Sequence, residues 1–229
     1  MAYSTISKHT DYFNTKLYTG TGSSLALTGV GFQPDFTWIK CRTAGSGTDH
    51  VLFDSVRGVT KALNSNDSGP EDTISNSLTA FGADGFTVNG NGATGASGDT
   101  YVGWNWKAGT SSGLSGGTIT PSSYSINATS GFGIYKYSGT GSAGTIAHGL
   151  GSTPGMFIVK RIDGGSDSWF IYHAGADNTP QNKYLILNEW KNKTGSYAIQ
   201  GYGAIFINFL SGSYSGAVGL PLEKLHHVL

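Results

Sequence analysis

Tyr18-Thr-Gly-Thr-Gly-Ser23 recurs as Tyr137-Ser-Gly-Thr-Gly-Ser142, and each copy runs on to a proline and an apolar run ending in lysine. Those runs are Pro34-Asp-Phe-Thr-Trp-Ile-Lys40 and Pro154-Gly-Met-Phe-Ile-Val-Lys160. Turn-forming glycines ahead of a β-branched and aromatic run, twice over, read as one β-rich module in tandem. A duplicated module predicts a building block that displays surface rather than a catalyst organised round one site.

Strand signals continue on both sides of these segments. Residues 15–19, Phe36–Cys41, His50–Asp54 and 85–89 are apolar or alternating runs bounded by turn residues. Tyr101-Val-Gly-Trp-Asn-Trp-Lys107 sets Tyr101, Gly103, Asn105 and Lys107 on one face. Val102, Trp104 and Trp106 take the other face, which is expected to be the buried one. Helical signals are few, and residues 72–79 are expected to form one short helix. Ala108-Gly-Thr-Ser-Ser-Gly-Leu-Ser-Gly-Gly117 reads as a flexible linker.

In the second copy, Asp167-Ser-Trp-Phe-Ile-Tyr-His173 stands where Asp49-His-Val-Leu-Phe-Asp54 stands in the first. Lys183-Tyr-Leu-Ile-Leu-Asn188 corresponds to Lys61-Ala-Leu-Asn-Ser-Asn66. No Trp-x-Trp-Lys strand follows. The chain instead carries Gly203-Ala-Ile-Phe-Ile-Asn-Phe-Leu210 and the tail Leu220-Pro-Leu-Glu-Lys-Leu-His-His-Val-Leu229. The expected fold class is all-β, with two tandem antiparallel β-sandwich modules and little helix. The first module spans 1–110, a Gly/Ser linker 111–118, and a second, divergent module 119–229 with an apolar C-terminal tail.

Composition narrows the function. The 229 residues carry 14 basic and 14 acidic side chains, for zero formal net charge, and only 12% are charged. Nucleic acid needs a basic patch to displace counterions, so no nucleic-acid partner is expected. The same neutrality argues against anionic membrane surfaces, and no apolar stretch is long enough to span a bilayer, so no membrane insertion is expected. The 36 glycines would suit disorder, but the 12% aromatic content does not, and a sheet protein with many tight turns fits both. Cys41 is the one cysteine, which excludes an intramolecular disulfide and a cysteine metal site. Met1-Ala-Tyr-Ser-Thr-Ile-Ser-Lys-His-Thr10 lacks the apolar core of a signal peptide, so synthesis in the cytoplasm is expected.

Motifs that look chemical resolve into turns. Gly139-Thr-Gly-Ser-Ala-Gly144 fits a dinucleotide fingerprint, but Thr145-Ile-Ala-His-Gly149 follows it where a helix is required, so a glycine turn is expected. Gly109-Thr-Ser-Ser-Gly113 fits a nucleophile elbow but lies in the linker. His50, His148 and His173 can be grouped with Asp49, Asp54 or Asp167 only without ligand spacing, and hydrogen-bonding histidines at strand ends are the expectation. Asp67, Glu71 and Asp72 form one loose acidic loop, expected to be solvated. No catalytic, cofactor-binding or metal-ligating residue is therefore predicted, and no cofactor. Trp38, Trp104, Trp106 and Trp169 sit in apolar runs and are expected in cores. Trp190, among polar neighbours in Asn188-Glu-Trp-Lys-Asn192, is the candidate glycan contact.

Four further stretches in order carry a resemblance: Gly31-Phe-Gln-Pro-Asp-Phe-Thr-Trp-Ile-Lys40, Asp54-Ser-Val-Arg-Gly58, Leu78-Thr-Ala-Phe-Gly-Ala-Asp-Gly-Phe86 and Tyr101-Val-Gly-Trp-Asn-Trp-Lys-Ala-Gly109. With His148-Gly-Leu-Gly151 and Trp169-Phe-Ile-Tyr-His173, the pattern resembles a repeat of structural and tail-fibre-like proteins of marine tailed bacteriophages, over roughly residues 3–190. The resemblance implies lectin-like jelly-roll modules, a place on the virion, and no catalytic residues. The expected function is a non-enzymatic bacteriophage virion structural protein, a tail-fibre or appendage component displaying a surface for host attachment. The alternatives are a capsid decoration or cement protein, and a glycan-binding or glycan-cleaving protein. Expected partners are other virion proteins, further copies of the chain with a trimer favoured, and host surface glycan. Because the second copy lacks its closing Trp strand, Ile205, Phe206, Phe209, Leu210, Leu220 and Leu225 are the candidate assembly contacts.

Overall fold

The computed structural model describes residues 6–43, 48–176 and 178–189. Among these the protein is all-β, with antiparallel sheets and no α-helix, only 3-10 turns at His9–Asp11 and Pro180–Asn182. Strands β1 (Phe13–Thr19), β9 (Thr100–Trp106), β3 (Phe36–Cys41), β4 (His50–Asp54), β5 (Gly58–Asn64) and β6 (Asp72–Thr73) form one six-stranded sheet in that order. A three-stranded sheet of β2 (Leu25–Leu27), β8 (Gly85–Val88) and β7 (Leu78–Gly82) packs over it. Ile39, Val51, Phe53 and Tyr101 from the large sheet interleave with Leu27, Leu78, Phe86 and Val88 from the small one to make the first core.

The reason β3, β4 and β9 lie centrally is that both of their faces are apolar. Such strands cannot serve at an edge or beside solvent, and must be covered twice. Tyr101, Gly103 and Asn105 point into the first core, and the Val102, Trp104 and Trp106 face expected to be buried is covered as well, so both faces of β9 lie inside. Asn105 survives there because its amide accepts from Thr37 Oγ1 at 3.0 Å and donates to the Asn14 and Gly103 carbonyls. Gly103 leaves room for Phe86, whose ring would lie 3.0 Å from a Cβ at that position. The opposite face, with Trp38, Leu52, Trp104 and Trp106, is covered by the second half of the chain.

That second half consists of a hairpin, β10 (Ser123–Asn127) with β11 (Phe132–Lys136), and a sheet of β12 (Met156–Val159), β13 (Phe170–His173) and β14 (Leu185–Ile186). The order β12-β13-β14 repeats β3-β4-β5. Trp169 is buried against Trp38, Leu52 and Leu63, with Ile158, Ile162 and Leu187 around it. Phe132 stacks on Trp106, their ring centroids 6.2 Å apart. The stretch read as linker is tied down in the structure: Leu114 N donates to the Tyr124 hydroxyl at 2.9 Å, and Thr118 N to the Thr145 carbonyl at 2.9 Å.

The helix expected at 72–79 is absent. Ile74 N donates to the Thr60 carbonyl, extending the pairing of β6 with β5, and Asp72 Oδ1 accepts from Thr73 N. Short polar side chains that bond their own backbone favour such extended and turned conformations over helix.

Candidate functional site

The duplicated residues are the natural place to look for function, and the structure gives each a mechanical task. Gly22 and Gly141 both take φ +74°, and Thr21 and Thr140 each bond the carbonyl two residues on, at Ser23 and Ser142. The two copies therefore make the same side-chain-closed turn, as expected of a glycine turn and unlike a phosphate loop. Lys40 donates to the Thr48 carbonyl, and Lys160 donates to the Asp167 carbonyl at 2.6 Å. In both copies the lysine that ends the apolar run ties back the loop entering the next strand.

The histidines are likewise acceptors for their own surroundings. His50 Nδ1 accepts from Trp38 Nε1 at 3.0 Å, His148 Nδ1 from Leu150 N at 3.1 Å, and His173 Nδ1 from Gly175 N at 3.1 Å. Burial, and then the neighbouring Lys40 charge, hold His50 below the ordinary imidazole value, partly opposed by Asp49. None of the three is brought to Asp54 or Asp167. Asp54 is salt-bridged to the buried Arg57 guanidinium, which also reaches Glu71 and the Leu52 and Lys61 carbonyls. Asp167 pairs with Arg161. Asp49 accepts from the Asn64 and Asn66 amides.

Asp84 and Asp35 have similar roles. The Asp84 carboxylate bridges the backbone N–H groups of Gly29 and Gly31, at 2.9 and 2.7 Å, and these bonds hold it below the usual carboxylate range. Asp35 is buried at 5% exposure and joins the two halves. It accepts from Ser55 Oγ at 2.8 Å, Ala108 N at 2.8 Å and Ser125 Oγ at 3.1 Å. The acidic loop does not gather: Glu71 turns to Arg57 and Lys61, while Asp72 bonds Thr73 N. Among the described residues no three His, Cys, Asp or Glu side chains meet in a way that would hold a metal ion. Nor does any described helix reach the length and apolarity needed to cross a membrane.

Two features had no local signal in the sequence. One is the Asp35 junction. The other is an uncovered aromatic face on the outer side of β12-β13-β14. Phe157 stacks on Tyr172 with centroids 4.8 Å apart, and Phe170 meets Tyr184 edge-on at 5.3 Å. Phe157, Phe170 and Tyr184 are 50%, 42% and 64% exposed, unlike the usual singly scattered surface aromatics. Trp190, Ile205, Phe206, Phe209, Leu210, Leu220 and Leu225 lie outside the described residues.

Comparison with known proteins adds a family. The profile of a domain of unknown function, DUF7483, matches residues 8–215. The chain belongs to this family. The DUF7483 match takes in both copies of the repeat and extends through Trp190 and Leu210, stopping before Leu220 and Leu225. Short stretches are also similar to dTTP/UTP pyrophosphatases, 52% identical over 46 residues for that of Zymomonas mobilis subsp. mobilis and 60% over 49 residues for that of Granulibacter bethesdensis. These stretches cover 20% and 21% of this chain, and the chain spans only 23% of the length of each relative. No solved structure matches significantly.

Proposed function

We propose that this DUF7483 chain is a non-enzymatic structural component of a bacteriophage virion, part of a tail fibre or appendage that displays a surface for attachment to the host. The observation that carries the non-enzymatic part is the use made of its titratable groups. His50, Asp35, Asp49, Asp54, Asp84 and Asp167 each close a turn, pair a cation or join two segments. Catalysis by acid and base needs such groups facing a substrate with capacity to spare. The virion assignment rests on the order of sequence motifs in the two copies. In this reading the partners are other virion proteins, further copies of the chain as a trimer, and a host glycan met at Trp190.

Immunogold labelling of purified particles tests the proposal. Label along the tail or its fibres is expected, and particles free of the protein would overturn it. Incubation with dTTP or UTP and a divalent cation is expected to release no pyrophosphate above the blank. Turnover there, or reducing sugar released from host polysaccharide, would overturn the non-enzymatic reading.

A second reading, a capsid decoration protein, is favoured by one observation. The second half lies on the Trp face of the first sheet through Trp169 and Phe132, making one block rather than a string of beads. A block of this kind suits a lattice site. Label confined to the head would select it.

A further inference from the structure

We infer that Asn91 is a site of self-modification, at which the Gly92 backbone nitrogen closes on the Asn91 side chain as a succinimide that water opens to aspartate and isoaspartate. Two Asn-Gly pairs stand side by side, Asn89-Gly90 and Asn91-Gly92. A following glycine lets its nitrogen approach the asparagine side chain, because no Cβ stands in the way. By sequence the two pairs are equivalent. The structure separates them.

At the first pair the nucleophile is engaged and the backbone is clamped. Gly90 N donates to Asn89 Oδ1 at 2.8 Å. A Cβ on Gly90 would lie 2.4 Å from the Gly22 carbonyl oxygen, so this glycine is wedged against the first glycine turn. Asn89 N donates to the Ser77 carbonyl at 2.8 Å. At the second pair, nothing among the described residues accepts from Gly92 N or from Asn91 Nδ2. Gly92 is exposed, and a Cβ there would meet nothing within 4 Å, so solvent base reaches its nitrogen. Asn91 Oδ1 accepts from Ala93 N at 2.9 Å. Attack at Asn91 Cγ puts negative charge on that oxygen, where a fixed N–H already points.

Solvent base takes the Gly92 N–H proton, the nitrogen bonds to Asn91 Cγ, and the Cγ–Nδ2 bond breaks to release ammonia. Water then cleaves the ring at either carbonyl. Cleavage at Cγ leaves aspartate, and cleavage at the main-chain carbonyl leaves isoaspartate. Nothing is oxidised or reduced: water enters and ammonia leaves. Isoaspartate reroutes the main chain through the side chain at the residue whose carbonyl accepts from Thr94 N at 3.0 Å and Gly95 N at 2.7 Å. The same loop holds the Tyr101 hydroxyl through the Gly92 carbonyl and Gly22 N through the Gly95 carbonyl. The modification therefore loosens the cover over the first glycine turn and adds a negative charge to a chain of zero formal net charge.

The test is incubation of the folded full chain in heavy-oxygen water at mildly alkaline pH, read by peptide mass spectrometry and by isoaspartate methyltransferase labelling. Heavy oxygen should enter residue 91 about tenfold faster than residue 89, because only the second pair has a reachable nucleophile. In urea the two should react at the same rate. Gly92→Ala should slow entry at residue 91 about tenfold by crowding the nitrogen. Its thermal midpoint should match that of the native chain, since the methyl has room and Gly92 is not left-handed. Residue 89 keeping pace with residue 91 in the folded chain would overturn the inference. So would a folded chain that stays unlabelled while the urea-treated one reacts, or a Gly92→Ala variant labelled as fast as the native chain.

Discussion

At the scale of single residues, Asp35 and His50 show how polar groups specify this fold. Removing the Asp35 carboxylate leaves Ala108 N, Ser55 Oγ and Ser125 Oγ without their acceptor in a buried place. One unsatisfied buried donor costs about 1–3 kcal/mol, so Asp35→Ala should destabilise by about 3 kcal/mol in urea unfolding. A loss below about 1 kcal/mol would mean water replaces the carboxylate there. His50 makes stability depend on pH. Its neutral Nδ1 accepts the Trp38 indole N–H, and an imidazolium cannot accept. The folded value lies below the unfolded one, so the contribution is complete above about pH 6.5 and falls as pH drops towards the folded value. Asparagine offers an oxygen near the same position, so the urea midpoint of His50→Asn should fall less than that of the native chain between pH 8 and pH 5.5. Parallel losses would discard the mechanism.

At the scale of elements, the two copies of the glycine turn are alike in sequence and unlike in constraint. A Cβ on Gly20 would lie 2.2 Å from the Ala96 carbonyl oxygen, because the loop from residue 89 to 99 closes over this turn. Tyr18 and Tyr101 hold that loop through bonds to the Thr94 and Gly92 carbonyls, and burial pushes the Tyr101 hydroxyl up to about 12. A Cβ on Gly139 would meet nothing within 4 Å. Gly20→Ala should therefore cost about 1–3 kcal/mol, while Gly139→Ala should be neutral or slightly stabilising by thermal unfolding. Equal effects would show that the turns are constrained alike. The strands Phe36–Cys41 and His50–Asp54 were legible to the residue, because Pro34 and a glycine loop bound dense β-branched and aromatic runs. The burial of the other face of β9 was not legible. Alternation separates two faces but cannot show that both are covered when one holds Trp and Val and the other holds Tyr, Gly and a satisfied Asn. The helix expected at 72–79 failed for a related reason, since its ladder partner, Thr60, is distant in sequence.

At the scale of the whole molecule, the halves share a core centred on Trp169. Its indole N–H donates to the Asn64 and Asp67 carbonyls at 2.9 and 3.0 Å, and Lys160 Nζ donates to the Ser68 carbonyl at 2.8 Å. The β3-β4-β5 and β12-β13-β14 sheets should therefore unfold in one calorimetric transition, and Trp169→Phe should lower it as a whole by about 1–3 kcal/mol. Two resolved transitions would mean the shared cluster is too weak to couple the sheets. The acids and histidines were legible in the sequence only as a set without ligand spacing. The junction of the halves depends on Trp169 meeting Asn64, a pairing no local pattern announces. That pairing also sets a timetable for the nascent chain. The last strand of the first sheet leaves the ribosome about 60 residues before Trp169 does, on the order of 3–12 s at roughly 5–20 residues per second. During that interval Trp38 and Trp104 form a bare, adhesive surface, and their shield is still being translated.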